Sequence, residues 1–142
     1  MNQRKKDYQL RTVNYTIPIT PIAWKRAGSN GKRFFDQQIH DKIRVGIDLV
    51  SQHNDQSKFI GPLHMDIKFI WPIPESIKRR NILAPSIWHT TVPDIDNCIK
   101  FILDTIGKTG TIWTDDRIVC SLNAVKIWGS VPSINITIRE LE

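Results

Sequence analysis

The sequence is poor in cysteine and lacks the histidine spacing of zinc sites. Its 142 residues include two cysteines, Cys98 and Cys120, and four scattered histidines. Two isolated cysteines form neither a disulfide framework nor a four-ligand zinc site. Because both cysteines stand at positions that fit an apolar pattern, we expect both to be small buried side chains.

Long apolar segments are also absent. No run of residues approaches the roughly 18 apolar residues that a membrane-spanning helix needs. The charged segment 1–12 is not followed by the apolar stretch of a secretory signal. We therefore expect a soluble, cytoplasmic protein with no membrane partner.

The common nucleotide-binding and hydrolase motifs are missing as well. The segment "IGKTG" contains Gly107, Lys108 and Thr109, but the earlier glycine of a phosphate-binding loop would fall at Ile102. The sequence contains no G-x-G-x-x-G and no G-x-S-x-G. We therefore expect no nucleotide cofactor.

The sequence does have an excess of basic residues in a chain of single-domain length. We expect one domain over 1–142, with a basic tail over 1–10 that has no fixed structure. The net charge of +6 and the pI near 9.6 favour a polyanionic partner. A solvated surface is the alternative explanation for each basic cluster. The basic residues that we expect to contact nucleic acid are Lys25, Arg26, Lys32, Arg33, Lys78, Arg79 and Arg80.

Hydrophobic periodicity predicts several elements in the first half of the chain. Alternation predicts strands over 12–19 and 63–71. Between them, apolar residues at helical spacing predict a helix over 36–53, with Asp36 as the N-cap. Turn residues followed by "KRFF" predict a small hairpin over 27–35.

The second half predicts two helices and two strands. A short helix is expected over 76–83. A continuous apolar stripe predicts a longer helix that begins after Asp94 and ends at Gly107. Segments 117–128 and 133–141 then predict two strands, which a short turn would join as an antiparallel pair. The fold class is therefore α+β: a single domain with a mixed sheet of about four to five strands and two main helices.

The most unusual feature of this basic chain is a concentration of acidic residues. Five of its fourteen acidic residues fall within 23 positions. These are Asp94, Asp96, Asp104, Asp115 and Asp116. Asp104 follows Asp96 by two helical turns, about 12 Å along the axis, so we expect it to be a surface or structural residue.

The acidic cluster has a structural and a chemical interpretation. In the structural one, Asp94 caps a helix, Asp96 pairs with Lys100, and Asp115 and Asp116 form a turn. In the chemical one, the carboxylates hold a divalent cation. Mg²⁺ prefers carboxylate oxygens and keeps several waters, so two or three aspartates from separate elements suffice. Lys100 would then offer a fixed positive charge to a phosphate.

The motifs at this cluster resemble those of a known family. "PDIDNCIKFILD" (93–104) followed by "IWTDDRIV" (112–119) is similar to the signature of the RusA family of Holliday-junction resolvases. That signature has a D-x-D-N-x-x-K helix start, then a tryptophan shortly before a D-D pair that enters a strand. The opening "IPITPIAWKRAGSNGKRFFD" (17–36) also resembles the start of the family, whereas the long segment 73–91 departs from it.

The resemblance implies a fold, an activity and a set of site residues. Family members are small homodimeric endonucleases, often from phages or prophages, that depend on Mg²⁺, for which Mn²⁺ can substitute. Their site would consist here of metal-binding and catalytic Asp94, Asp96 and Asp116, catalytic Lys100, Asp115 as a further metal ligand, and Asn97 in support. The implied reaction is paired symmetric nicking of four-way DNA junctions, which leaves a 5′-phosphate and a 3′-hydroxyl.

Two other functions remain open at this level. One is a broader structure-specific nuclease that cuts flaps or forks, since the same metal site would serve it. The other is a non-catalytic basic DNA-binding module whose acidic cluster only caps helices.

Overall fold

A computed structural model describes residues 9–31, 33–80 and 87–142 of the chain. The elements in chain order are β1 (Thr12–Ile17), β2 (Gly28–Ser29), β3 (Phe34–Phe35), α1 (Ile39–His53), β4 (Leu63–Pro72), α2 (Glu75–Arg80), α3 (Ile95–Thr109), a 3₁₀ turn (Asp116–Ile118), β5 (Val119–Gly129) and β6 (Ser133–Glu140). They form a four-stranded mixed sheet and a separate two-stranded hairpin of β2 and β3. The predicted α+β class, strand number and two main helices are confirmed.

The central strand of the sheet is β4. The strand order is β1-β6-β4-β5, with β6 antiparallel to both β1 and β4 and with β5 parallel to β4. Helices α2 and α3 lie in the connection between the two parallel strands. This connection brings the second half of α3, which carries Asp104, close to Asp115 and Asp116, which precede β5.

The predicted pairing of the last two strands is wrong. Strands β5 and β6 both pair with β4 and lie on opposite sides of it. A strand of ten residues that is mostly buried gains more from two partners than from a place at the edge. The link 130–132 can pass over one strand, because two strand spacings are about 9.6 Å and three extended residues span about 10 Å.

Both long helices pack on one face of the sheet. Helix α3 buries Cys98, Phe101, Ile102 and Ile106, and the core also contains alternate residues of β4 and β6. The opposite sheet face carries polar side chains such as Asp66 and Asn123. Within the described residues, no helix is long and apolar enough to cross a bilayer.

The boundaries of the two long helices differ from the prediction at two places. Helix α1 begins at Ile39 instead of position 36. The Asp36 carboxylate is engaged before the helix starts, because it accepts a hydrogen bond from the Gln38 N–H at 2.9 Å and forms an ion pair with Lys42 at 2.8 Å. Helix α3 continues past Gly107 to a left-handed C-cap at Gly110, whose φ is 63°.

The structure also bears on the short helix predicted over 76–83 and on the predicted burial of both cysteines. Helix α2 covers Glu75–Arg80, and the rest of the helix predicted over 76–83 lies outside the described residues. Cys98 is buried as expected, but Cys120 is exposed. Cys120 stands on the edge strand β5, where the register shifts between Val119 and Ser121, so it has no partner residue on β4.

Candidate active site

The start of α3 presents two carboxylates to solvent. Asp94 occupies the N-cap position with extended backbone angles, but its side chain makes no capping hydrogen bond. Asp96 stands in the first turn, and both residues are exposed. The buried stripe of α3 holds the helix on the sheet, so these carboxylates project from a fixed element. The backbone dipole favours negative charge at this end of the helix.

Asp94 and Asp96 line a groove beside the sheet edge. The groove has a volume of about 660 Å³ and is also lined by the segment 88–92 and by Ala124, Val125 and Lys126 of β5. Its aromatic wall includes exposed Trp88 and, next to it, a buried imidazole at His89. A groove with this lining combines acidic, basic and aromatic groups within one surface.

Lys126 is a site residue that sequence reasoning missed. Its ammonium donates hydrogen bonds to the carbonyls of Thr91 at 2.6 Å and of Pro93 at 2.5 Å. Both acceptors belong to the turn that leads into Asp94. The available sequence signal was a lysine within the otherwise apolar stretch "AVKIW" of a strand.

The pKa of the buried Cys98 thiol depends on the charges around this groove. Burial raises its pKa to about 11, the Lys126 charge lowers it, and the Asp96 and Asp94 charges raise it further. The thiol is therefore protonated near neutral pH and serves as an apolar core group. Its surroundings show that Asp94, Asp96 and Lys126 act electrostatically on one small region.

The Asp115–Asp116 pair lines a second cleft, of about 310 Å³. Asp104, Gly107 and Lys108 of α3 line the same cleft. The Asp115 carboxylate accepts a hydrogen bond from the Arg117 N–H at 2.9 Å and caps the 3₁₀ turn. That hydrogen bond is the main reason that the pKa of Asp115 lies below its usual value.

Asp116 has the opposite shift. Although the residue is exposed, partial desolvation of its carboxyl raises the pKa above the usual value, and the neighbouring Asp115 and Asp104 raise it further. The two neighbouring carboxylates therefore disfavour the ionised form of Asp116. Such a position favours the binding of a cation.

Asp104 belongs to this second cleft and also to an ion-pair network. The Lys42 ammonium, 6% exposed as a residue, lies 2.8 Å from Asp36 and 3.8 Å from Asp104. Lys108 lies 3.4 Å from Asp36. The network joins α1 to α3, which gives Asp104 the structural role predicted for it. Its proximity to Asp116 was missed because its distance was judged only from Asp96.

Lys100 does not pair with Asp96, contrary to the structural interpretation of the acidic cluster. Its ammonium lies over the indole ring of Trp24, 3.6 Å from the ring centroid. The backbone N–H of Trp24 donates to the carbonyl of Asn97 at 2.8 Å. The asparagine predicted to support the aspartates thus connects α3 to the segment before β2 through its carbonyl.

The predicted metal ligands occur as two separate groups in the described chain. Asp94 and Asp96 line the groove, and Asp115 and Asp116 line the second cleft. Among the residues that the structure describes, no three histidine, cysteine or acidic side chains lie together as a metal site. The carboxylate donors nevertheless fit Mg²⁺ in kind, because this ion uses one or two protein carboxylates together with waters and substrate phosphates.

The structure describes the side chains of four of the seven residues predicted to contact DNA. Lys25, Arg26, Arg33 and Lys78 are exposed, and Lys78 forms an ion pair with Glu75 at 3.4 Å. Lys32 and the side chains of Arg79 and Arg80 lie outside the described residues.

Comparison with known sequences identifies the class of protein. A family model described as "Endodeoxyribonuclease RusA" matches residues 17–139, a span that contains both long helices and every predicted site residue. The chain is thus an endodeoxyribonuclease by family. It belongs to the RusA family, whose members act on branched DNA junctions, and the resemblance at 93–104 and 112–119 is confirmed.

A curated relative matches almost the whole chain. It is "Uncharacterized protein YqaN" of Bacillus subtilis (strain 168), which is 30% identical over 139 residues. The match covers 91% of this chain and 96% of the relative. The relative therefore has a similar length.

Proposed function

We propose that this protein is a Mg²⁺-dependent endonuclease that resolves four-way DNA junctions by paired symmetric nicks. Membership of the RusA family supports the endonuclease activity. The observation that carries the proposal is that neither Asp94 nor Lys100 makes the contact that the structural interpretation of the acidic cluster requires. Asp94 makes no capping hydrogen bond, and Lys100 makes no ion pair with Asp96.

In this proposal the carboxylates of both groups, Asp94 and Asp96 at the groove and Asp116 at the second cleft, hold Mg²⁺, and Mn²⁺ can replace it. Asp115 assists as a weaker ligand, because its carboxylate also caps the 3₁₀ turn. Bound Mg²⁺ would supply the ability to lower the pKa of a water and to neutralise phosphate charge. One aspartate pair lies at the start of α3 and the other at the 3₁₀ turn before β5, so regular elements hold both pairs in position.

The chemical step is the attack of water on the scissile phosphorus. The bond from phosphorus to the 3′ oxygen breaks, which leaves a 5′-phosphate and a 3′-hydroxyl. Negative charge develops on the phosphate oxygens in the transition state. The Lys100 ammonium, one turn beyond Asp96, is the fixed cation that we assign to stabilise this charge.

Junction resolution requires two cuts, so the proposal includes a homodimer with one site in each protomer. Exposed basic residues would bind backbone phosphates, with Lys25, Arg26 and Arg33 near the hairpin and Lys78 on α2. Phosphate contacts position a protein on DNA without reading sequence, which suits a substrate recognised by its branched shape.

The decisive experiment compares Asp96→Asn with Asp55→Asn on labelled DNA. Asp55 is an exposed aspartate in the loop after α1, so its substitution is the matched control. In Mg²⁺ we expect the wild type and the control to nick four-way junctions symmetrically, and Asp96→Asn to lose cleavage while it still binds the junction.

The same assay separates the alternatives. Equal cutting of forks and junctions would favour a broader structure-specific nuclease. Absence of metal-dependent cleavage by the wild type, with junction binding intact, would favour a non-catalytic DNA-binding module. Size-exclusion chromatography with light scattering tests the homodimer, and a strict monomer at micromolar concentration would contradict paired incision.

A further inference from the structure

The indole ring of Trp24 makes a specific contact with Lys100. Trp24 is half-buried in the segment between β1 and β2, whereas Lys100 is an exposed residue of α3. The Lys100 ammonium lies 3.6 Å from the centroid of the indole ring. An ammonium at this distance is attracted by the negative face of the ring, and tryptophan is the strongest aromatic partner for such a contact.

The backbone around Trp24 is fixed by three hydrogen bonds. The Trp24 N–H donates to the Asn97 carbonyl at 2.8 Å, which ties the segment to the first turn of α3. The side chain of Gln38, a residue only 4% exposed, donates to the Ala23 carbonyl at 2.7 Å and accepts from the Lys25 N–H at 2.9 Å. Three consecutive residues are therefore held against α1 and α3, and the ring has a defined position.

Without this ring, the Lys100 ammonium would be within reach of the Asp96 carboxylate. Asp96 stands one helical turn before Lys100, at the spacing at which an acidic and a basic residue attract each other. A lysine side chain is long and has four rotatable bonds, so an unheld ammonium would sample many positions, including a pair with Asp96. In the structure the Lys100 ammonium lies on the indole ring of Trp24, and no ion pair joins Lys100 to Asp96, both of which the structure describes.

We propose that Trp24 is a positioning residue that holds the Lys100 ammonium on its indole face and away from Asp96. This inference rests on the proposed function, in which Asp96 binds metal and Lys100 stabilises charge on the phosphate. The aromatic contact leaves the Asp96 carboxylate free for its cation. It also orients the ammonium without pairing it with a carboxylate.

The test uses Trp24→Leu, which removes the aromatic face, and Trp24→Phe, which retains a weaker one. Phe34→Leu is the control, because Phe34 is an aromatic residue of the hairpin that is 80% exposed, whereas the ring under Lys100 is that of Trp24. For Trp24→Leu we expect kcat for junction cleavage to fall about 10- to 100-fold. Metal-free junction affinity should change less than about threefold, since no phosphate contact is removed.

A second measurement does not depend on activity. The ε-methylene protons of Lys100 should be shifted upfield in NMR spectra by the indole ring current, whereas those of exposed Lys68 should not. Trp24→Leu should abolish the shift, and Trp24→Phe should restore part of both the shift and kcat.

These results keep the two hypotheses apart. If the wild type does not cleave DNA in Mg²⁺, the proposed function fails, and the NMR shift still decides whether Trp24 holds Lys100. Full kcat in Trp24→Leu, or an unchanged Lys100 shift, would overturn the positioning role. So would a loss of activity that follows a lower melting temperature and that Trp24→Phe does not rescue.

Discussion

The Lys126 ammonium donates a hydrogen bond to the carbonyl of Pro93, the residue before Asp94. This contact ties the entrance of α3 to the edge strand β5. The Lys126 side chain also donates to the Thr91 carbonyl, so one cation holds two carbonyls of the same turn. The position of the Asp94 and Asp96 carboxylates therefore depends on a residue about thirty positions later in the chain.

Replacing Lys126 with methionine should weaken both the site and the fold. The variant keeps an unbranched apolar stem but leaves the Thr91 and Pro93 carbonyls without their charged donor. A hydrogen bond to a charged group contributes about 1.5–3 kcal/mol, and we expect a loss of about 1–3 kcal/mol in the free energy of unfolding. Mg²⁺ affinity or cleavage should fall about 10- to 100-fold, as for other residues that orient metal ligands.

Lys68→Met is the control for this prediction, since Lys68 is an exposed lysine on the neighbouring strand β4. Urea unfolding and Mn²⁺ titration measure the two effects. A Lys126→Met protein with unaltered metal affinity would show that the tether does not set the carboxylate positions.

Asp116 should lower the stability of the metal-free protein and raise the stability of the Mg²⁺-bound protein. Its pKa is raised in the folded state, so its ionised form costs stability above that pKa, and the cost is relieved as the pH falls. Asp116→Asn removes the charge, and we expect the metal-free melting temperature to stay the same or to rise. In the wild type, Mg²⁺ at 100 times its dissociation constant should stabilise the fold by about 2.7 kcal/mol. Asp116→Asn should lose this increment.

Thermal melts with Mg²⁺ and with EDTA measure both effects, and Asp55→Asn provides the comparison. If the wild type shows no Mg²⁺-dependent shift, or if Asp116→Asn retains the full shift, Asp116 is not a metal ligand.

The sequence predicted elements whose information is local. Strand β4 and helix α3 follow strict hydrophobic periods, and Asp94 and Asp96 stand at the start of α3 in the structure as predicted. The hydrophobic alternation of a strand does not identify the strand with which it pairs. The pairing of β5 and β6 was therefore assigned from a short turn, whereas the buried β4 takes the place between them.

Residues that support the site were harder to predict because their contacts are distant in sequence. Trp24 reaches Lys100 across 76 positions, as their numbers in the chain show. Lys126 reaches Pro93 only because β5 runs parallel to β4 and passes the entrance of α3. No local pattern encodes these contacts, so only the tertiary fold identifies them.

Lys42→Met should destabilise the contact between α1 and α3. Lys42 is buried and lies 2.8 Å from Asp36 and 3.8 Å from Asp104. Because both carboxylates are partly exposed, water compensates for some of the loss, and we expect about 1–3 kcal/mol at neutral pH. Lys78→Met, which breaks an exposed pair with Glu75, should change stability by less than about 0.5 kcal/mol.

The pH dependence of the Lys42 effect has a defined sign. The hydrogen bond from Lys42 is the main cause of the lowered pKa of Asp36. The stabilisation is therefore complete above the unfolded value of 3.8 and is lost as the pH falls through the lower folded pKa. Urea unfolding of wild type and Lys42→Met should show a difference that shrinks in this acidic range. A constant difference would contradict the ion pair.

His53 should make the protein sensitive to mild acid. The imidazole is fully buried, and its Nδ1 lies 2.6 Å from the Tyr15 hydroxyl while its Nε2 lies 3.1 Å from the Ser57 carbonyl. These partners fix the neutral tautomer in which Nε2 donates and Nδ1 accepts. Burial lowers the pKa of His53 below its ordinary value of 6.5.

His53 therefore binds a proton more readily in the unfolded chain than in the folded chain. The stability due to neutral His53 is complete above about pH 6.5 and is lost as the pH falls towards the lowered folded pKa, at up to about 1.4 kcal/mol per pH unit. Buried His89, whose pKa is also lowered by burial, adds to the same slope. His53→Gln should reduce the slope of the unfolding free energy against pH below about pH 6.5. The exposed His40→Gln should leave it unchanged, and an equal slope in all three proteins would exclude His53 as its source.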